Sequence, residues 1–289
     1  MSFVLFTDGG SNLPGRLLKQ LDIRVLPCTY TVDGQSVTYN GDIEAFDAHS
    51  YYDQLRAGAM ITTSLLNTQL FCDHFRPALE AGQDVMYVGF SSGISGTIQA
   101  ARIAANELME EFPGRRVRIV DSLGAGLGVG LLTCRGADLR AEGKSADEVA
   151  DILDEERMQL CEFFTVESLH YLRRSGRISA ATFALGTVLD IKPLLRGDEE
   201  GHIVSCSKHR GRKRVINAIV DKYAEKVRDA EHNRVFISHG DCPEEAQALA
   251  ERIRAIAQPK ELIVLPHEPF TGCHVGPGML ALFFFGDHR

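Results

Sequence analysis

Phe90-Ser91-Ser92-Gly93-Ile94-Ser95-Gly96-Thr97 lies between two apolar segments of this 289-residue chain. It follows Val85-Met86-Tyr87-Val88, an apolar run that predicts a buried strand. It precedes residues 98–108, where Ile98, Ile103 and Leu108 among several alanines predict a helix packed on a sheet. Strand, small-residue turn and helix start together aim backbone N–H groups at an anion. The two glycines permit close approach of a ligand, and Ser91, Ser92, Ser95 and Thr97 supply hydroxyl donors without bulk. Three catalytic motifs fail here. A P-loop needs Gly-Lys-Ser/Thr, and no lysine is present. A nucleophile elbow needs Gly-x-Ser-x-Gly, and counting from Gly93 puts Thr97 at the last position. A dinucleotide fingerprint needs three glycines at offsets that are missing. What stands is a small-anion site or a tight turn capped by its own serines.

Composition narrows the classes around that turn. The chain is 44% hydrophobic and 24% charged, enough for one large domain or two smaller ones. A net charge of -8 argues against a general nucleic-acid binder. Met1-Ser2-Phe3-Val4-Leu5-Phe6 runs straight into a strand without a basic leader region. No apolar run is long enough to span a bilayer, so stable membrane anchoring is not expected. The seven cysteines (28, 72, 134, 161, 206, 242 and 273) are scattered and form no Cys-x-x-Cys pair. Reduced thiols in a cytoplasmic protein are expected, with no metal site.

Working outward, strands are predicted at 3–7, 85–89 and 117–120, separated by helices, which points to an α/β fold with a parallel sheet. Helices are expected over 13–21, 44–56, 67–81 and 145–158. Asp33-Gly34, between two β-rich runs within 25–39, predicts a hairpin. The hydroxyl triplet Thr62-Thr63-Ser64 reads as a cap for the next helix or as ligand donors. Leu123-Gly124-Ala125-Gly126-Leu127-Gly128-Val129-Gly130 places glycine at every second position and reads as a helix whose glycine face packs closely on a neighbour or on a lipid-like ligand. Beyond Cys161, strands are expected at 163–166, 203–207, 235–238, 262–265 and 279–285. The apolar stretch 180–189, helices at 210–226 and 244–257 and a glycine-rich loop at 270–278 complete the pattern. The domain boundary is expected near 159, giving domains 1–158 and 159–289.

In this order the motifs resemble the DegV family of bacterial fatty-acid-binding proteins, nearly end to end. The resemblance is carried by Thr7-Asp8-Gly9-Gly10-Ser11, Thr63-Ser64, the turn 91–97, Asp121-Ser122 with its glycine run, 169–179, Ile191-Lys192-Pro193, 208–210 and His274-Val275-Gly276-Pro277-Gly278. It implies two α/β domains with one long-chain fatty acid between them and no further cofactor. The carboxylate would be held by Thr63, Ser92 and Gly93, with His274 nearby. Ser64, Ser91, Ser95, Gly96 and Gly126 would belong to the pocket. Some members carry the acyl chain for a bacterial fatty acid kinase, whose partner holds ATP and phosphorylates the bound carboxylate. Two departures stand out. Thr63-Ser64 leads into Leu65-Leu66-Asn67 where the family usually has a Gln-Pro-Ser type step, and Ser175-Gly176-Arg177 replaces Gly-Gly-Arg.

A basic set (Arg173, Arg174, Arg177, Lys208, Arg210, Arg212, Lys213 and Arg214) stands against the acidic background. Arg173, Arg177, Lys208 and Arg210 are candidates for a surface facing a partner or its phosphates, because guanidinium forks match phosphate oxygens. The plainer reading is a solvated face. No catalytic residue is assigned. The alternatives are an autonomous phosphotransferase or hydrolase using Asp8 or Asp121 with Ser92, and a lipid buffer without a kinase partner.

Overall fold

The computed structural model describes residues 3–184 and 190–289; positions 185–189 of the apolar stretch at 180–189 lie outside the described residues. In chain order the strands are β1 Phe3–Asp8, β2 Ile23–Leu26, β3 Cys28–Val32, β4 Gln35–Tyr39, β5 Ile61–Ser64, β6 Asp84–Gly89, β7 Val117–Asp121, β8 Leu160–Thr165, β9 Ile191–Gly197, β10 Ile203–Arg210, β11 Arg234–His239, β12 Glu261–Pro266 and β13 Leu280–Phe285. The helices are α1 Gly15–Gln20, α2 Ala48–Arg56, α3 Thr68–Glu80, α4 Thr97–Glu111, α5 Leu127–Ala141, α6 Ala146–Glu156, α7 His170–Arg174, α8 Ala180–Ala184, α9 Arg212–Lys226, α10 Pro243–Ile256 and α11 Pro269–Val275.

The first sheet, ordered β2-β1-β6-β7, is parallel throughout. A parallel sheet is covered on both faces, so its strands read as unbroken apolar runs, as β1 and β6 do. Helices α3 and α4 pack on its strands, as do α5 and α6. The second sheet, β10-β9-β8-β13-β11-β12, is antiparallel except for the β11–β12 pair. Its strands carry α9 and α10. A small antiparallel sheet, β4-β3-β5, contains the expected hairpin, with Asp33 at φ 47° and Gly34 at φ 85° in its turn. Among the described residues no sheet mixes strands from before and after residue 159, and we propose this segregation as the domain division.

Helix α5 ties the two larger sheets together. It touches β1 and β6 of the first sheet and β8, β11 and β13 of the second. Residues 127–134 are buried without a break, the mark of a helix enclosed on all sides. It begins at Leu127, so Gly124 and Gly126 precede it rather than forming a helical face. Gly126 has φ 54°, a left-handed conformation that glycine adopts without strain.

Four local expectations are corrected. The segment 270–278 is not a loop: α11 spans Pro269–Val275, because the Glu268 carboxylate accepts the N–H groups of Phe270 and Thr271 and Pro269 suits the first turn. The triplet at 62–64 does not cap α3; it lies in β5 against β3, and Asn67 makes the cap by accepting the Leu70 N–H. The helix expected from 44 starts at Ala48, behind the Asp47 cap. The helix expected from 210 starts at Arg212, so Lys208 and Arg210 belong to strand β10.

Candidate functional site

A cavity of about 310 Å³ is lined by both halves of the chain. Its wall is mostly apolar, with Phe90, Ile94, Phe164, Leu172, Met279 and Phe283 among the contributors. Thr63, Ser95, Gly96, Arg177 and His274 supply polar groups to the same lining. Thr63 Oγ1 and His274 Nε2 lie 2.9 Å apart, joining β5 to α11. Burial, then the charges of Arg177 and Arg174, push the His274 imidazole down to about 3, so it is neutral at ordinary pH. Ser95 Oγ accepts the Thr97 N–H at the start of α4 and pairs with Thr97 Oγ1 at 2.9 Å. The positive end of the α4 dipole therefore lies beside Ser95 and Gly96.

The turn 91–96 is built as expected, but its serines divide their tasks differently. Ser91 is fully buried, donates to the Gly201 carbonyl and accepts the Gly93 N–H. Gly93 lies against the backbone of Glu200 and Gly201, where an added Cβ would come within 2.7 Å. Ser92 is exposed, its N–H taken by Asp121, and it does not line the cavity. Ser95 occupies the lining position expected of Ser92. Ser64, Ser91, Gly93 and Gly126 also stand outside the lining.

The alternating glycines have a specific use. A Cβ at Gly128 would lie 1.6 Å from Glu162 Oε1, one at Gly124 2.4 Å, and one at Gly126 2.8 Å from the His267 ring. They seat two buried polar side chains that sequence reasoning missed, both of which line the cavity. His267 lies 3.0 Å from Ser238 Oγ through Nδ1 and 2.8 Å from Thr271 Oγ1 through Nε2, and burial pushes it down to about 3. Glu162 receives the Ala125 N–H at 3.1 Å. Burial lifts its carboxyl to about 7 against the opposing pull of Arg289. The single charge in the apolar run 160–164 was the available sequence signal for Glu162.

The basic set is split. Arg177 lines the cavity and donates to the Ser175 carbonyl, so it is not confined to the outer surface. Arg173 and Arg174 are exposed on α7, and Lys208 and Arg210 on β10. Arg212 is committed to Glu245, with its closest contact at 2.7 Å. The alternative catalytic acids serve the fold. Asp8 is fully buried and accepts from the Tyr87 hydroxyl and the Gly10 N–H. Asp121 accepts the N–H groups of Ser92 and Leu123. Neither lines the cavity. On the surface, His49, Asp53 and Asp241 gather, with the Arg56 guanidinium bonded to both carboxylates. Among the described residues no helix is long and apolar enough to cross a membrane.

The pattern described as "Uncharacterised protein, DegV family" matches residues 2–287. A DegV domain-containing protein of Clostridium perfringens is 36% identical over 287 residues, covering 99% of this chain and 98% of that one. A DegV family protein from Thermus thermophilus, solved in a study of its fatty acid binding, superposes with a TM-score of 0.87 at 31% identity, covering 99% of this chain and 100% of the other. DegV of Bacillus subtilis, described as a fatty acid binding protein, gives 0.85 at 26% identity over 99% and 100% of the two chains. The chain belongs to the DegV family.

Proposed function

We propose that the cavity holds one long-chain fatty acid, its carboxylate against Thr63, Ser95, Gly96 and His274 and within the field of Arg177. The observation that carries this reading is the collection of hydroxyl, imidazole and guanidinium groups in one region of an otherwise apolar lining. In the tautomer that carries its proton on Nε2, neutral His274 donates to Thr63 Oγ1 and leaves the Thr63 hydroxyl proton for the carboxylate. Ser95 and the positive end of α4 add donors to the same anion, and the Arg177 charge offsets its burial. The fatty-acid-binding descriptions of the structurally similar DegV proteins support the assignment.

A further part of the proposal is that the bound carboxylate is presented to a partner kinase carrying ATP. A carboxylate oxygen would then form the bond to the terminal phosphoryl group as ADP leaves. Arg173 and Arg174, exposed on the helix just before Arg177, are the residues we assign to that partner or its phosphates. Seven free cysteines support a cytoplasmic location for the chain.

Titration of the delipidated chain with palmitate or oleate tests the binding reading: saturation at one acid per chain supports it, and no uptake rejects it. For the kinase part, Arg173→Ala is expected to retain the lipid yet slow acyl-phosphate formation once a partner kinase and ATP are supplied. Parallel loss of both would move Arg173 into the lipid site, and no change in either would leave α7 a solvated face.

A further inference from the structure

Glu162 stands apart from the carboxylate-binding end of the cavity. Strand β13 pairs Phe283 with Glu162 and Ala281 with Phe164, so the cavity floor steps from Glu162 and Phe283 to Phe164 and Ala281, then to Met279. At about 3.3 Å per residue, Glu162 lies roughly 13 Å from Val166, where the chain turns towards α7 and Arg177. Glu162 thus lies down the sheet from the Val166 level and away from Arg177.

A carboxyl is costly at the end of an apolar cavity unless its oxygens find donors. Gly124 and Gly128 leave room for this one, so its position is built into the packing. Only Oε1 is hydrogen-bonded among the described residues, to the Ala125 N–H. The nearest cation to Oε2 is Arg289 Nη2 at 3.9 Å, beyond hydrogen-bond reach and itself donating to the Leu123 carbonyl at 2.7 Å. Glu162 is 8% exposed and lines the cavity, and its Oε2 accepts no hydrogen bond among the described residues. A chain ending in a methyl group would cover that acceptor and offer it nothing. A hydroxyl near the chain terminus would satisfy it.

We infer that the cavity around Glu162 is a hydroxyl subsite, in which Glu162 Oε2 accepts a hydrogen bond from a hydroxyl on the terminal part of the acyl chain, so that terminally hydroxylated fatty acids belong to its ligand class. The inference rests on the fatty-acid reading above. Arg289, its side chain 1% exposed, stands behind Glu162 and balances its charge.

The test is calorimetric titration of delipidated protein with palmitate, ω-hydroxypalmitate and α-hydroxypalmitate. The native chain is expected to bind the ω-hydroxy acid at least as tightly as palmitate and to prefer it to the α-hydroxy acid. In Glu162→Leu the ratio of ω-hydroxypalmitate to palmitate affinity should fall about tenfold or more, the size of one lost hydrogen bond to a charged group. In Glu162→Gln, whose amide oxygen still accepts, most of the ratio should remain. Circular dichroism checks that both variants fold, and the native-chain comparison of the two hydroxy acids stands without them. An unchanged ratio in Glu162→Leu, or rejection of the ω-hydroxy acid by a native chain that binds palmitate, overturns the subsite and leaves the fatty-acid reading intact. Failure of the native chain to bind any of the three overturns both.

Discussion

The two ends of the cavity solve opposite problems. At one end, Thr63, Ser95, Arg177 and His274 come from a strand end, a turn and the α7–α11 region, and Leu65 beside them is 55% exposed. At the other, Glu162 lies mid-sheet on β8, cradled by glycines and backed by Arg289. The first end holds its histidine neutral beside the Arg177 guanidinium. The second holds a carboxyl whose proton is loosened only near neutrality. Burial shifts both groups towards their uncharged forms, and the residues around them decide what each can accept.

The largest effect should come from the exposed end. Arg177→Ala or Thr63→Val is expected to weaken fatty acid binding by about ten- to a hundredfold, since each removes a group acting on a charged carboxylate at roughly 1.5–3 kcal/mol. Titration of each variant reads this directly, and native affinity in both would place the carboxylate elsewhere. Next in size is Gly128→Ala, whose Cβ would collide with Glu162 Oε1. Overpacking of this kind costs about 1–3 kcal/mol, seen as a lowered unfolding midpoint in urea.

The pH dependence of stability sharpens the contrast. Burial raises the Glu162 carboxyl from 4.5 to about 7, so its contribution is fully present below pH 4.5 and is lost as pH rises through 7. Asp8 and Glu268, raised to about 6 and about 8, act with the same sign. His267 and His274, lowered from 6.5 to about 3, act oppositely: their contribution is present above 6.5 and is lost as pH falls towards 3. The difference between native chain and Glu162→Gln isolates one residue from this mixture. Urea unfolding should show Glu162→Gln losing less stability than the native chain between about pH 4.5 and 7. Parallel curves would mean that Glu162 does not titrate in that window. The smallest effect is assigned to Ser92→Ala, whose hydroxyl lies outside the cavity lining: affinity should stay within about twofold, well short of a lost hydrogen bond. A loss as large as that of Thr63→Val would reverse the assignment of Ser95 over Ser92.

The parallel sheet and the strand, turn and helix start at 85–97 were legible in the chain, because unbroken apolar runs and small-residue turns carry them; that His274 lies near Thr63 was implied only by the family resemblance. Which serine of the turn lines the cavity was not legible. Ser91, Ser92 and Ser95 have the same chemistry, and the choice depends on Gly93 meeting the backbone at Gly201, a contact distant in sequence. The glycines at 124–130 read as a packing face, but their neighbours Glu162 and His267 lie on strands and loops that spacing does not reveal. The helix at 269–275 was hidden because its capping acid, Glu268, stood just outside the stretch read as a loop. Arg177 looked like part of a surface charge run until the turn at Gly176, with φ 74°, brought it to the cavity.

Native mass spectrometry of the protein purified from cells shows most directly whether the cavity carries a single fatty acid. A mass increment equal to one long-chain fatty acid per chain is expected, released on denaturation and identified as a free acid, and reduced in Thr63→Val. A chain at its bare sequence mass that also takes up no palmitate or oleate when these are added would contradict it.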